Sequence, residues 1–212
     1  PAVHARQGSI SYKLEWRGLS MIFTGDTKPN NYVVEHATDG VDVLIHEMTP
    51  TPEVWVEKFV GIPEDNPLYP MVLADVENVQ ASSHTQQKEF GYILSLLGVR
   101  PRLAVGTHFP ATNDTIRAAL ADIRQYYPKG ALAVASDLMV ISVTKNRIQR
   151  KRAVVSDYTW APTSRSALLQ SYDTPKYWKY DVDDKGETIK VGDPYAQLDP
   201  DAEVIVMPGK KK

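Results

Sequence analysis

The segment Val41-Asp-Val-Leu-Ile-His46 constrains the fold most, because it is a mostly apolar run of strand-forming residues. A strand solvated on one face alternates apolar and polar residues, whereas a near-continuous apolar run marks an interior strand covered on both faces. Helical patterns surround it. Asn30 is placed to cap a helix through about Ala37. In a helix spanning Ser82 to Leu97, Phe90, Ile93, Leu94 and Leu97 share one face, and Gly98 stops it. Asp114 to Tyr127 forms another helix, with Ile116, Leu120 and Ile123 in register. Further strands are expected at Ser9–Trp16, Ser20–Thr24, Arg102–Val105, Ala131–Ala135 and Leu138–Val143, with Arg17-Gly18 as a turn. Strands alternating with helices indicate α/β layers.

Thr51 to Phe59 reads as a short helix capped by Thr51. Residues 62–79 hold three prolines with little periodicity and read as a long loop. Beyond Arg152, Tyr158, Trp160, Tyr172, Tyr177, Trp178, Tyr180 and Tyr195 sit among prolines and aspartates. Residues 153–212 are therefore expected to be an irregular extension packed on a domain spanning 1–152, with a frayed Gly-Lys-Lys-Lys end.

Composition narrows the function classes. The formal net charge of −2 offers no global field for nucleic acid or anionic lipid. The basic run Lys145-Asn-Arg-Ile-Gln-Arg-Lys-Arg152 reads as a solvated edge strand with Ile148 turned inward. The chain has no cysteine, which excludes disulfides, thiolate ligands and a cysteine nucleophile. No stretch approaches the 18 apolar residues of a membrane span. These features leave the compartment open between cytoplasm and periplasm.

Four polar clusters lie where strands end: His4, Gly25-Asp26-Thr27, His46-Glu47 and Thr107-His108-Phe109-Pro110. Ligands gather at such ends in α/β folds. A carboxylate and two imidazoles converging there suit Zn²⁺, although no His-Glu-x-x-His spacing is present. His46 reads as structural at a buried strand end and His36 as a surface helix residue.

The wording of these clusters resembles that of the metallo-β-lactamase superfamily, in its ribonuclease Z and arylsulfatase-like branch. Phe23-Thr-Gly-Asp-Thr27 is similar to the Gly-Asp-Thr motif whose Asp bridges two metals. Val43-Leu-Ile-His-Glu-Met-Thr49 resembles the branch's His-Glu-Ala-Thr segment, and Ser83-His-Thr-Gln-Gln-Lys-Glu89 its His-Ser-Thr segment. Val105-Gly-Thr-His-Phe-Pro110 resembles the motif ending in the last metal histidine. His4, ahead of Ser11-Tyr12-Lys13-Leu14, matches a first-metal ligand. The four ordered segments span roughly residues 4–143.

The resemblance implies an αββα sandwich of which this chain is the C-terminal half. It implies metal ligands His4, Asp26 and His108, a catalytic His84 acting on the leaving group or oxyanion, and Glu47 orienting His84. Thr27 would hold the loop of Asp26. Trp55, Phe59, Tyr69 and Trp160 are candidates to line a pocket or to join the core. The implied activity is hydrolysis with one or two Zn²⁺, in which a metal-bound hydroxide attacks a small-molecule ester, lactone, sulfate or phosphate ester, or carbon–halogen bond. A ribonuclease Z-like phosphodiesterase on tRNA and a non-catalytic binding module are the alternatives. The family's His-x-His-x-Asp-His motif is absent here. The expected partner is thus an N-terminal half of the same protein carrying that motif, since the chain opens at Pro1 in mid-pattern. A homo-oligomer is a second expectation, with no membrane and no nucleic-acid partner.

Overall fold

The computed structural model describes residues 2–6, 8–152, 180–182, 188–190 and 204–209. The chain is mixed α/β with a mostly parallel central sheet. Strands β1 (Tyr12–Trp16), β2 (Leu19–Phe23), β3 (Val43–Glu47), β4 (Leu103–Thr107) and β5 (Leu132–Val134) lie side by side in sequence order. β1 and β2 are antiparallel, and every later pairing in this sheet is parallel. Arg17 and Gly18 turn the β1–β2 hairpin with φ of 51° and 73°. Both values are left-handed, which suits the twist of a two-residue hairpin loop.

One face of the sheet is covered by helices α1 (Asn31–Ala37), α4 (Gln87–Leu96) and α5 (Asn113–Tyr126). Ile22, Leu44 and Ala104 meet Val33, Ala37, Phe90, Ile93, Leu94, Ala119 and Ile123 in one buried core. Asn30 caps α1 by accepting the Val33 N–H at 3.1 Å. α4 and α5 cross very closely, since a Cβ added at Gly91 would lie 2.6 Å from the Ile123 carbonyl oxygen.

The opposite face is apolar too, and the described residues cover it only in part. Val43, Leu103, Val105 and Ala133 pack under Ile141, Val143 and Ile148. Those three belong to a hairpin of β6 (Met139–Val143) and β7 (Ile148–Arg152). The basic run thus forms the turn of this hairpin and β7, with Ile148 inward. Register places Tyr12, Leu14 and Trp16 opposite Phe23, Met21 and Leu19, on this same face. There Tyr12, Leu14 and Trp16 are 57–60% exposed. A short pair of β8 (Tyr180–Val182) and β9 (Thr188–Lys190) completes the described elements. Near the end of the chain, Val204 bridges to Asn30 and Ile205 packs against the helical core.

Three readings of the sequence are corrected. Residues 62–79 are not a long loop: α3 (Tyr69–Ser83) occupies their second half. Pro63 and Pro67 precede that helix and Pro70 sits in its first turn, where a missing N–H is harmless. The helix expected over Ser82–Leu97 is instead split. α3 ends at Ser83, His84 is extended, and α4 starts at Gln87 behind a capping box between Gln86 and Glu89. The short helix expected through Phe59 is α2 (Pro52–Trp55), followed by a π-helical turn over Val56–Val60. Trp160 and most of the expected extension lie outside the described residues. Among the described residues, no helix is long and apolar enough to cross a membrane.

Candidate metal centre at the strand ends

Parallel strands present their C-terminal ends on one edge, and three of the polar clusters extend from that edge. Gly25 takes φ of 62° just after β2 and turns the chain so that Asp26 emerges exposed. A non-glycine residue there would be strained, and its Cβ would sit 3.2 Å from the Ile10 carbonyl. Thr24, fully buried, accepts the Glu47 N–H through Oγ1 at 3.2 Å and donates to the Gly25 carbonyl at 2.8 Å. Met48 N–H donates to the Thr107 carbonyl at 2.8 Å, joining the ends of β3 and β4. Next along, His108 has φ of 58°, an uncommon conformation for a residue with a Cβ. Backbone strain of this kind gathers at functional sites.

Glu47 is the buried hub. Its Oε1 accepts the Thr27 N–H at 2.7 Å and the Thr85 N–H at 3.3 Å, and both oxygens lie 3.2 Å from His84 Nδ1. The Thr85 hydroxyl donates to the Thr27 carbonyl at 2.6 Å. Thr27 Oγ1 in turn accepts the Val3 N–H at 2.8 Å, and Lys28 N–H donates to the Val3 carbonyl at 2.7 Å. A continuous chain of hydrogen bonds therefore holds the segment carrying His4, the loop of Asp26 and the segment of His84 in one arrangement.

The side chains converge as two overlapping groups. Ligand-capable atoms of His4, Asp26 and His84 all lie within 4.8 Å of one another, and those of Glu47, His84 and His108 do likewise. His84 is common to both. Its ring meets His4 edge-on, with centroids 5.5 Å apart, and stacks on His108 at 5.3 Å and 19°. The structure thus brings all five expected residues to one place, with His108 grouped through His84 and Glu47 and not directly with His4 and Asp26.

Electrostatics sort their roles. Burial pushes the Glu47 carboxyl above its ordinary range, opposed by His84. Burial pulls the His84 imidazole down, but the Glu47 carboxylate overcomes it and the net shift is upward. Burial and the neighbouring His84 lower His4, favouring the neutral, ligand-competent ring. With Nδ1–H turned to Glu47, His84 keeps Nε2 for the cleft. His4 Nδ1 accepts the Arg6 N–H at 2.9 Å, an exposed bond. An ion ligated at that nitrogen would displace this bond. One carboxylate plus imidazoles is a donor set that could hold a divalent metal ion.

The remaining candidates fall away from the cleft or onto its rim. His46 is fully buried, with Nδ1 donating to the Glu47 carbonyl at 2.6 Å and its ring beside Phe90. Its Nε2 has no partner among the described residues. His36 is exposed in the last turn of α1. Trp55 lies 6.5 Å from the His108 ring. Tyr69, half-buried, opens α3. Thr85 and Thr24 carry no mark in the sequence, because hydrogen bonding by a buried threonine leaves no periodic signal.

Burial depresses the His46 pKa to about 4. The unfolded chain binds this proton near the ordinary 6.5 and the folded chain does not, so stability is full above that value and falls as pH drops towards 4. One proton gives at most about 1.4 kcal/mol per pH unit. Urea unfolding between pH 7 and 4 is expected to show this slope, and His46→Asn, which can still donate to the Glu47 carbonyl, is expected to reduce it. Identical pH profiles for the two proteins would contradict the assignment. The sequence matches no protein-family model and no curated protein.

Proposed function

We propose that this chain carries part of the active site of a metal-dependent hydrolase of the metallo-β-lactamase type, as the C-terminal half of an αββα sandwich. The observation that carries the proposal is the pair of overlapping donor groups centred on His84. His4, Asp26 and His108 would hold divalent metal, zinc by their donor chemistry. A bound ion would supply Lewis acidity and a water of lowered pKa. Glu47 fixes the orientation of His84 and stabilises its charged form, so His84 can hold a proton at Nε2 and deliver it to a leaving group. The substrate is a small molecule with a hydrolysable ester-like bond.

The exposure of Tyr12, Leu14, Trp16 and Phe23, which no described residue covers fully, supports a second element of the proposal. Apolar strands want a facing layer, and an N-terminal half bearing His-x-His-x-Asp-His would supply both that layer and the remaining ligands. The test is elemental analysis and ester hydrolysis by the intact polypeptide and by residues 1–212 alone. The expected result is one or two zinc per intact molecule, hydrolysis lost with chelator and restored by zinc, and little of either in the isolated chain. A metal-free intact protein that retains its fold would defeat the proposal and favour a binding module.

A further inference from the structure

Asn30 does more than cap α1. It is fully buried, and its side-chain amide faces two ways. Oδ1 accepts the Val33 N–H, which is the cap, while Nδ2 donates to Thr27 Oγ1 and to the Lys28 carbonyl, each at 3.0 Å. Only this orientation of the amide fits, because a carbonyl can only accept and a backbone N–H can only donate. A cap needs an oxygen alone, and serine or aspartate serves it equally well. The helix therefore does not account for the NH₂ group. Its target is saturated. The two lone pairs of Thr27 Oγ1 take the Val3 N–H and the Asn30 amide, and its hydrogen goes to the Lys28 carbonyl at 3.0 Å. Val3, also buried, accepts the Lys28 N–H, so both backbone polar groups of the residue before His4 are tied to residues 27 and 28. Further cover comes from far along the chain: Val204 bridges to Asn30, and the Ile205 N–H donates to the Pro29 carbonyl at 2.9 Å.

We propose that Asn30 is a positioning residue for the candidate centre. Its amide donor fixes the Thr27 hydroxyl, and that hydroxyl, through Val3, sets where His4 stands relative to Asp26 and His84. The inference rests on the metal reading for its consequence but not for its geometry. The backbone of Thr27 is already joined to the other side of the centre, its N–H by Glu47 and its carbonyl by the Thr85 hydroxyl. Its side chain is thus the link between that side and His4. Without the amide, a lone pair of Oγ1 and the Lys28 carbonyl each lose a donor beside fully buried Thr27, and a half-satisfied buried network no longer specifies one arrangement. The His4 ring is only half-buried, so its placement depends on the backbone behind it.

The test separates the cap from the amide. Asn30→Ser keeps a capping oxygen and removes the NH₂ group, whereas Asn30→Ala removes both. Amide hydrogen exchange is followed in the metal-free intact polypeptide, and zinc affinity is then measured by titration. In the serine variant, exchange at Val3 and Lys28 is expected to quicken about 2- to 12-fold, the worth of one hydrogen bond, with Val33 unchanged. In the alanine variant Val33 is expected to quicken as well. Zinc affinity is expected to fall about 10-fold in the serine variant, as for other supporting partners of a ligand. Asn30→Asp, of the same shape and with a capping oxygen, gives the same reading if the serine variant does not fold. Unchanged exchange at Val3 and Lys28 would overturn the proposal whatever zinc does. Quickened exchange with zinc affinity equal to the parent's would also overturn it, since the amide would then be a structural tie alone. Quickened exchange in a polypeptide whose parent binds no zinc would uphold the tie between Asn30 and the His4 segment and count against the metal reading instead.

Discussion

On the proposed hydrolase reading, Asp26→Ala is expected to abolish metal-dependent hydrolysis while leaving the fold in place. Asp26 is exposed, and among the described residues the hydrogen bonds that fix its loop come from Thr24, Thr27 and Thr85 and not from its own carboxylate. Its removal therefore leaves the scaffold standing and takes away the one carboxylate grouped with His4 and His84. Losing a partner that only supports a ligand costs about 10- to 100-fold in metal affinity or activity. Losing the ligand itself should exceed that range, with zinc content falling alongside kcat/KM. His46→Asn serves as the contrast: it lies behind Glu47 and faces Phe90, so it should alter stability far more than turnover. Comparable losses of activity in the two variants, at unchanged zinc content, would show that Asp26 is a turn residue only.

Gly91→Ala is expected to be among the most destabilising of small substitutions in this chain. The added methyl would lie 2.6 Å from the carbonyl oxygen and 2.8 Å from the Cα of Ile123, and both are backbone atoms of α5. No rotamer change relieves such a contact, so the helices must separate. Phe90, Ile93 and Leu94 on one side and Ala119 and Ile123 on the other are all essentially inaccessible to solvent. Overpacking of this kind costs about 1–3 kcal/mol and occasionally more; with backbone on the receiving side, about 3 kcal/mol is expected. The measurement is a lowered urea midpoint at unchanged m. A midpoint within error of the parent would mean that the helices cross less closely than described. Since α4 follows two residues after Thr85, weaker metal retention should accompany the loss on the proposed metal-site reading.

Periodicity carried the legible part of the fold. α1, α4 and α5 each bury one stripe, so their apolar residues recur at helical spacing, and β3 is buried on both faces and shows a mostly apolar run. α3 is hidden in the sequence because it buries almost nothing: only Gln80 and Ser83 are buried, and Met71 and Val79 face solvent. A helix without a buried stripe has no pattern to find. At the candidate centre, the short motifs ending β2, β3 and β4 pointed to Asp26, Glu47 and His108. The position of His84 between two donor groups could not be read from them. It depends on the extended break after Ser83 and on the Thr85–Thr27 hydrogen bond, which joins residues 58 positions apart.

The excursion of residues 52–83, which form α2, the π-helical turn and α3 between β3 and α4, has an evolutionary consequence. Pairing β3 with β4 already requires closing the chain over α4, and the entropy of closing a loop grows only as the logarithm of its length. Doubling such a connection adds roughly 0.6 kcal/mol to the closure term. The segment also contributes little to the buried core: Val56 and Pro52 are buried, and neither belongs to the two main apolar clusters. Lengthening, shortening or exchanging these residues should therefore leave the stability of the sheet nearly untouched while rebuilding the surface beside His108. Selection could retune what reaches the strand ends without renegotiating the architecture that holds them.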